Sequence, residues 1–177
     1  MSSKITDYPG TEITAEEARA ERYLLTRHEV ELKYSWSAGK AISRFLTGLR
    51  DGELWGRKCT GCRRTMVPPR MYCERCFRPT DEWARLQDVG RVVTYSVSYV
   101  NADASRREGE EPIVVAVVEI EGASPMMGML HLLGEVSLEE LAVGMRVKAV
   151  WKPKGERRGA ITDIAYFKPI RGGPRQA

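Results

Sequence analysis

The spacing of apolar residues changes period several times along the chain, and each change marks an element. From Glu29 to Trp36 the residues alternate, with Val30, Leu32, Tyr34 and Trp36 on one side and Glu29, Glu31, Lys33 and Ser35 on the other. A period of two belongs to extended chain with one apolar face. After Gly39 the period lengthens, with Ile42, Phe45, Leu46 and Leu49 at i, i+3, i+4 and i+7 and Gly52 placed to end the run. This predicts an amphipathic helix that needs something to cover it. Upstream, Thr14 and Glu17 form a capping box, so residues 14–26 are expected to be helical, although their apolar face is thin.

A strand regime begins at Gly90. RVVTYSVSYV sets Val93, Tyr95, Val97 and Tyr99 against Val92, Thr94, Ser96 and Ser98, a β-rich alternation. The polar loop NADASRREGEE leads to PIVVAVVEIEG and then SPMMGMLHLLGEV, two more strands. Ser137 and Glu140 repeat the capping box, so SLEELAV is expected to form a short helix closing at Gly144. MRVKAVWK and AITDIAYF then flank the turn PKGERRG, and the segment from Pro169 is rich in Gly, Pro and Arg, the composition of a flexible tail. Three strands, a helix and two strands are the element order of a five-stranded OB barrel.

Composition narrows the class. The chain has 177 residues, 42% of them hydrophobic, enough for a modest core. It contains no apolar run near the roughly 20 residues that span a bilayer, and its start, MSSKITDYPG, lacks the regions of a signal peptide, so a soluble cytoplasmic protein is expected. Net charge is +4, with 8 basic and 7 acidic residues in 1–50, 8 and 6 in 51–90, and 12 and 11 in 91–177. A general nucleic-acid binder carries a basic face that neutralises many phosphates, and this even distribution argues against one.

The chemistry concentrates in Cys59-x-x-Cys62 and Cys73-x-x-Cys76, two pairs in a chain without an export signal, which favours metal over disulfide. Each pair puts two thiolates on a tight turn, and four thiolates around one ion make a closed tetrahedral site that suits structural zinc; iron of the rubredoxin kind fits the same geometry. If all four bind metal, none remains as a nucleophile. His28 and His131 have no carboxylate or serine motif beside them, and no GxSxG, phosphate-cradling glycine loop or HExxH occurs, so the sequence offers no catalytic set. Between Glu53 and Glu74 there is no acid, while Arg57, Lys58, Arg63, Arg64 and Arg70 fall in that window. The run reads either as a solvated face or as an anion site for CoA phosphates, nucleic acid or an acidic partner. Arg157 and Arg158 occupy a loop that OB barrels use for ligands, and Tyr95 and Tyr99 read as core ahead of base-stacking residues.

FLTGLRDGELWGRKCTGCRRTMVPPRMYCERC, the EW segment, GRVVTYSVSYV, PIVVAVVEIEG and GMRVKAVW together resemble the acyl-CoA-associated zinc-ribbon plus OB-fold family, long labelled a domain of unknown function. The likeness covers about residues 40–168, and its most specific part is GLRDGELWGRKC with the paired CxxC motifs and Pro68-Pro69-Arg70. Together with the element pattern, it points to a mainly β protein with N-terminal helices: an arm over 1–52, a rubredoxin-like zinc ribbon over 53–88, an OB barrel over 89–168 and a tail over 169–177. It also implies a non-catalytic accessory subunit that completes a thiolase-superfamily enzyme or an acyl-CoA hydratase or aldolase. Cys59, Cys62, Cys73 and Cys76 would be the ligands, and Ile42, Phe45 and Leu49 of the preceding helix, with Trp36, would dock the partner. Residues 1–38 exceed the family pattern, so the alternating Trp36 face is either an arm in a groove of the partner or packed on the chain's own barrel. A nucleic-acid-binding OB module with a zinc ribbon is the alternative reading, and a free-standing rubredoxin-like redox protein is a third.

Overall fold

Residues 14–20, 35, 37–101 and 105–171 are described by the computed structural model. Residues 1–36 form one unit and 37–177 another. In the first, the Thr14–Glu17 capping box forms: the Glu17 N–H donates to Thr14 Oγ1 at 3.2 Å, and the Thr14 N–H to Glu17 Oε2 at 3.0 Å. It opens α1, Ala15–Arg19. The rest of the expected first helix, the alternating segment, His28 and Trp36 lie outside the described residues.

The second unit starts with α2, Gly39–Asp51, whose chain reverses at Gly52 with φ 81° and N–H bonds back to Leu49 and Gly48. A side chain at Gly52 would also strike the Arg157 guanidinium. The buried face of α2 is Ala41, Phe45, Gly48 and Leu49, a stripe rotated from the expected one, and Ile42 is left exposed. The cause is Gly48: a Cβ there would sit 2.5 Å from Trp55 Cδ1, so only a glycine lets the ribbon sheet come this close. The burial of Phe45 and Leu49 corrects their expected role, because both side chains are spent on the chain's own core and have no surface for a partner.

Next come β1, Leu54–Lys58; β2, Thr65–Met66; β3, Tyr72–Cys73; β4, Arg78–Pro79; and β5, Glu82–Leu86. β2, β1 and β5 form a three-stranded sheet, while β3 and β4 form a hairpin of their own. The Val67–Pro68 peptide between β2 and β3 is cis.

The barrel strands are β6, Val89–Ser98; β7, Ile113–Ile120; β8, Gly128–Leu133; β9, Arg146–Trp151; and β10, Ile164–Pro169. They close in the order β10-β8-β7-β6-β9, with β8 and β10 parallel and the other pairs antiparallel. This is the closed Greek-key barrel of an OB fold. Buried and less buried positions alternate along the whole of β7, so Val114, Ala116, Val118 and Ile120 fill the barrel with Met129, Leu133, Val147, Ile164 and Phe167. The same core continues through Leu86, Met66 and Val67 to Leu49 and Phe45. Ribbon and barrel are therefore packed as one hydrophobic unit.

Three expectations about the barrel need correction. No helix forms over 137–144: the Glu140 N–H does bond Ser137 Oγ at 3.2 Å, but only a turn follows, because the Gly144 N–H is taken by Val92 O at 2.7 Å and pulls the segment onto β6. Residues Ile161–Asp163 are a 3₁₀ turn, so the last strand starts at Ile164. A register shift between Val92 and Thr94 inverts the alternation of β6, so Val92 and Tyr95 share the inner side across from Val118 and Ala116. Tyr95 and Tyr99 are nevertheless exposed. β9 pairs with β6 only from Val89 to Arg91, and among the described residues no strand pairs with the far half of β6 on that side.

Candidate functional site

Cys59 lies at the end of β1 and Cys73 in β3, both buried, and Cys62 and Cys76 are half-buried on the turns that follow. The four Sγ atoms lie within 4.8 Å of one another, and Cys62 and Cys73 approach to 3.5 Å. Four thiolates about 2.3 Å from a tetrahedral ion sit roughly 3.8 Å apart, so this cluster is positioned to bind a metal. Each CxxC is followed by a non-glycine residue in left-handed backbone, Arg63 at φ 61° and Phe77 at φ 50°. Such residues cost about 1 kcal/mol each. The conformation folds the turn back on itself, with the Phe77 N–H on Cys73 O and the Cys59 N–H on Arg64 O, both at 2.9 Å.

The thiols respond to this crowding in opposite directions. Burial works to raise Cys73, but the N–H groups of Cys76 and Arg75 and the Cys62 and Cys59 side chains outweigh it and bring its pKa to about 7. Cys76 is pushed up to about 12, first by its hydrogen bond with Cys62 and by burial, then by the other two sulfurs. Four adjacent sulfurs resist full ionisation until a cation neutralises them, which is the chemistry of a thiolate metal centre. Around the cluster, Asp81 accepts the Thr60 N–H at 3.1 Å and the Thr60 hydroxyl and pairs with Arg78 at 3.4 Å, fixing the first turn.

The basic window is largely engaged within the fold. Arg57 donates to Thr80 O from Nη2 at 2.7 Å and to Thr80 Oγ1 from Nε at 2.6 Å; Lys58 pairs with Glu82 at 3.7 Å; Arg64 and Arg70 both reach Glu74, at 3.2 and 3.5 Å. The sequence gap in acids is thus filled in space by Glu74 and Glu82. Arg63 alone of the five is exposed with no carboxylate partner among the described residues.

A second set went unnoticed in the sequence. Arg44 of α2 lies over the Trp55 ring at 4.2 Å and 5.0 Å from the Trp83 ring, and Arg57 covers Trp83 at 4.7 Å. The pairing of Arg57 with Trp83 across β1 and β5 builds the stack, and it clamps α2 to the ribbon. Two arginines 13 positions apart and two tryptophans 28 positions apart carry no local signal for it.

His131 accepts the Leu132 N–H at Nδ1 (2.9 Å), and its Nε2 lies 3.2 Å from Ile161 O. With Nδ1 accepting, Nε2 carries the proton and donates to that carbonyl, so neither nitrogen is free for base chemistry. Arg157, singled out as a ligand-loop cation, donates from Nε to Lys152 O at 2.7 Å, while the Arg158 side chain is exposed.

The outer barrel surface carries an uncharged block. Thr94, Ser96 and Ser98 of β6 pair with Val117, Val115 and Ile113 of β7, and Val115 and Val117 pair with Leu132 and Leu130 of β8. All these residues face outward, opposite the buried set, and Leu130 and Leu132 are 68% and 44% exposed. Three adjacent strands thus present no charge over this block.

Comparison with known proteins agrees with the geometry. The model of the ChsH2 rubredoxin-like zinc ribbon domain matches residues 46–82, and that of the ChsH2 C-terminal OB-fold domain matches 83–152. A DUF35 domain-containing scaffold protein of Methanocaldococcus jannaschii is 34% identical over 121 residues, 66% of this chain and 82% of the relative. Its namesake in Methanothermobacter thermautotrophicus is 30% identical over 121 residues, 66% and 86% respectively. Among solved structures, a DUF35-family protein of unknown function from Sulfolobus solfataricus superposes with TM-score 0.52 at 26% identity, covering 64% of this chain and 77% of that one. A chain of the Ltp2-ChsH2(DUF35) aldolase shares the fold at TM-score 0.53 and 18% identity, over 76% and 98%. Identity of this order over more than four-fifths of each relative, in register with the cysteine ribbon and the barrel, shows that the chain belongs to the DUF35 family.

Proposed function

We propose that the chain is a non-catalytic scaffold subunit of the cytoplasm that docks on, and completes, an enzyme handling acyl-CoA, of the thiolase superfamily or the acyl-CoA hydratase or aldolase kind. The observation that carries this reading is the uncharged outer face of β6, β7 and β8. Interface cores are depleted in charge, and an exposed strand surface without charge is what a stable partner would cover. Two relatives named scaffold proteins support it, as does the shared fold with a chain of an aldolase assembly. The acyl-CoA chemistry belongs to the partner in this reading. Zinc, held by the four cysteines, is the structural metal, since four thiolates leave no open position for substrate.

The test is gentle purification of the tagged full-length protein from its native cells, with mass spectrometry and the 260-to-280 nm absorbance ratio. A stoichiometric thiolase-like, hydratase-like or aldolase-like subunit with little nucleic acid is expected. Changing Leu130→Lys and Leu132→Glu together should abolish co-purification while leaving the melting temperature within a few degrees, because both side chains are already in water. A high absorbance ratio with nucleic-acid-associated proteins and no acyl-CoA enzyme would replace this reading with the nucleic-acid module.

A further inference from the structure

The hairpin of β3 and β4 carries exposure and strain together. Phe77, in its turn, is 88% exposed and holds φ 50°, and Tyr72 on β3 is 63% exposed. Among the described residues, Phe77 is no part of the hydrophobic core. The left-handed conformation after Cys76 is one that glycine adopts freely and an aromatic residue adopts at a cost. A benzyl group in solvent returns none of that cost through burial. Strain retained at an exposed aromatic points to a use outside the chain.

The charges beside it indicate what that use is. Arg63 and Arg64 follow the first cysteine turn, Arg70 lies between β2 and β3, and Arg75 and Arg78 lie on the hairpin, against Glu74 and Asp81. Glu74 is shared by Arg64 and Arg70, Asp81 is taken by Arg78, and Arg63 and Arg75 are exposed without a carboxylate partner among the described residues. Aromatic anchors ringed by arginine are the composition of a binding hot spot, and the net positive rim selects a negative one.

We infer that the ribbon tip is a docking site in its own right, in which Phe77 and Tyr72 enter an apolar cleft on the enzyme subunit and Arg63 and Arg75 meet carboxylates at its rim. The inference rests on the scaffold reading above and names a second surface for it, at the metal-bearing end and separate from the barrel face. Phe77 is the anchor, and the metal holds the turn that presents it. Attraction at the rim makes the association weaker as salt rises.

The test uses the full chain and the acyl-CoA enzyme subunit that co-purifies with it. Phe77→Gly removes the anchor and relieves the backbone, so its metal content should equal that of the unaltered chain and its melting temperature should be equal or higher. Its affinity for the enzyme subunit should fall roughly tenfold or more, and Arg75→Glu should lower it further while flattening the salt dependence. Tyr72→Ser, outside the cysteine turn, gives an independent reading should Phe77→Gly lose metal. Equal affinity of the metal-bound variants and the unaltered chain would overturn the inference and leave the scaffold reading standing. If no acyl-CoA enzyme accompanies the unaltered chain, the scaffold reading fails and the inference with it. Single-stranded nucleic acid retained by the unaltered chain and lost by Phe77→Gly would overturn it in favour of base stacking on Phe77.

Discussion

Cys73→Ser is expected to strip the chain of its metal and to unfold the ribbon, the largest effect of any single substitution here. Cys73 is buried and its sulfur lies among the other three, so a serine there removes one of four ligands from a closed site. In small structural zinc domains the metal supplies on the order of 10 kcal/mol of apparent folding free energy, and few other interactions in the ribbon can replace it, since β2, β3 and β4 are two residues each. The loss should spread, because Cys59, Cys73, Met66 and Val67 belong to the same core as the barrel. Metal analysis and thermal unfolding of the variant, and of the unaltered chain after chelation, should both show a metal-free protein melting far lower. Retention of the melting temperature without metal would refute a structural centre. Uptake must also displace protons, Cys76 above all with its pKa pushed up to about 12, so metal affinity is expected to fall as pH falls.

Asp163→Ala is expected to be the second largest. Asp163 is 2% exposed and accepts three backbone N–H groups, of Arg158 at 2.9 Å, Gly159 at 2.7 Å and Ala160 at 3.1 Å, tying the β9–β10 loop into one shape. Alanine leaves three donors without that acceptor. At about 1–3 kcal/mol for each donor that stays buried, and with some relaxing into water, a loss of about 3 kcal/mol follows, or roughly 10 °C in melting temperature. Burial works to raise this carboxyl, yet the N–H groups of Arg158, Ala160 and Gly159 and the charge of Lys152 outweigh it and hold its pKa below the ordinary value. A lowered folded pKa makes the contribution full above the unfolded value near about 4 and lost as pH falls from there through the folded value. Asp163→Ala should therefore flatten stability against pH in that acid window. An unchanged acid limb would show that the loop does not depend on the carboxylate.

The elements differ in how much of them could be read from the chain. The capping box at Thr14, the five barrel strands and the four-sulfur cluster were legible because each depends on residues close in sequence or on a periodicity the local backbone imposes. The short helix over 137–144 was not: its cap forms, but Val92, far along the chain, captures the Gly144 N–H. The face of α2 was misjudged for a related reason. Hydrophobicity favoured Ile42 and Leu46, whereas close approach of Trp55 selected Ala41 and Gly48.

Charge was the least legible. Arg57, Lys58, Arg64 and Arg70 read as an uncompensated cluster until folding brought Thr80, Glu82 and Glu74 to them. What the sequence by itself determined is chemistry carried by spacing: two thiolate turns that can share one ion, and alternation that makes strands, as in β7, while the shift between Val92 and Thr94 decided which side of β6 is buried. Tertiary structure decided which of those surfaces remain available, the uncharged barrel face and the strained Phe77 tip against the buried Phe45 and Leu49. Partner choice among side chains depends on distances between residues remote in the chain, and local pattern does not encode those distances.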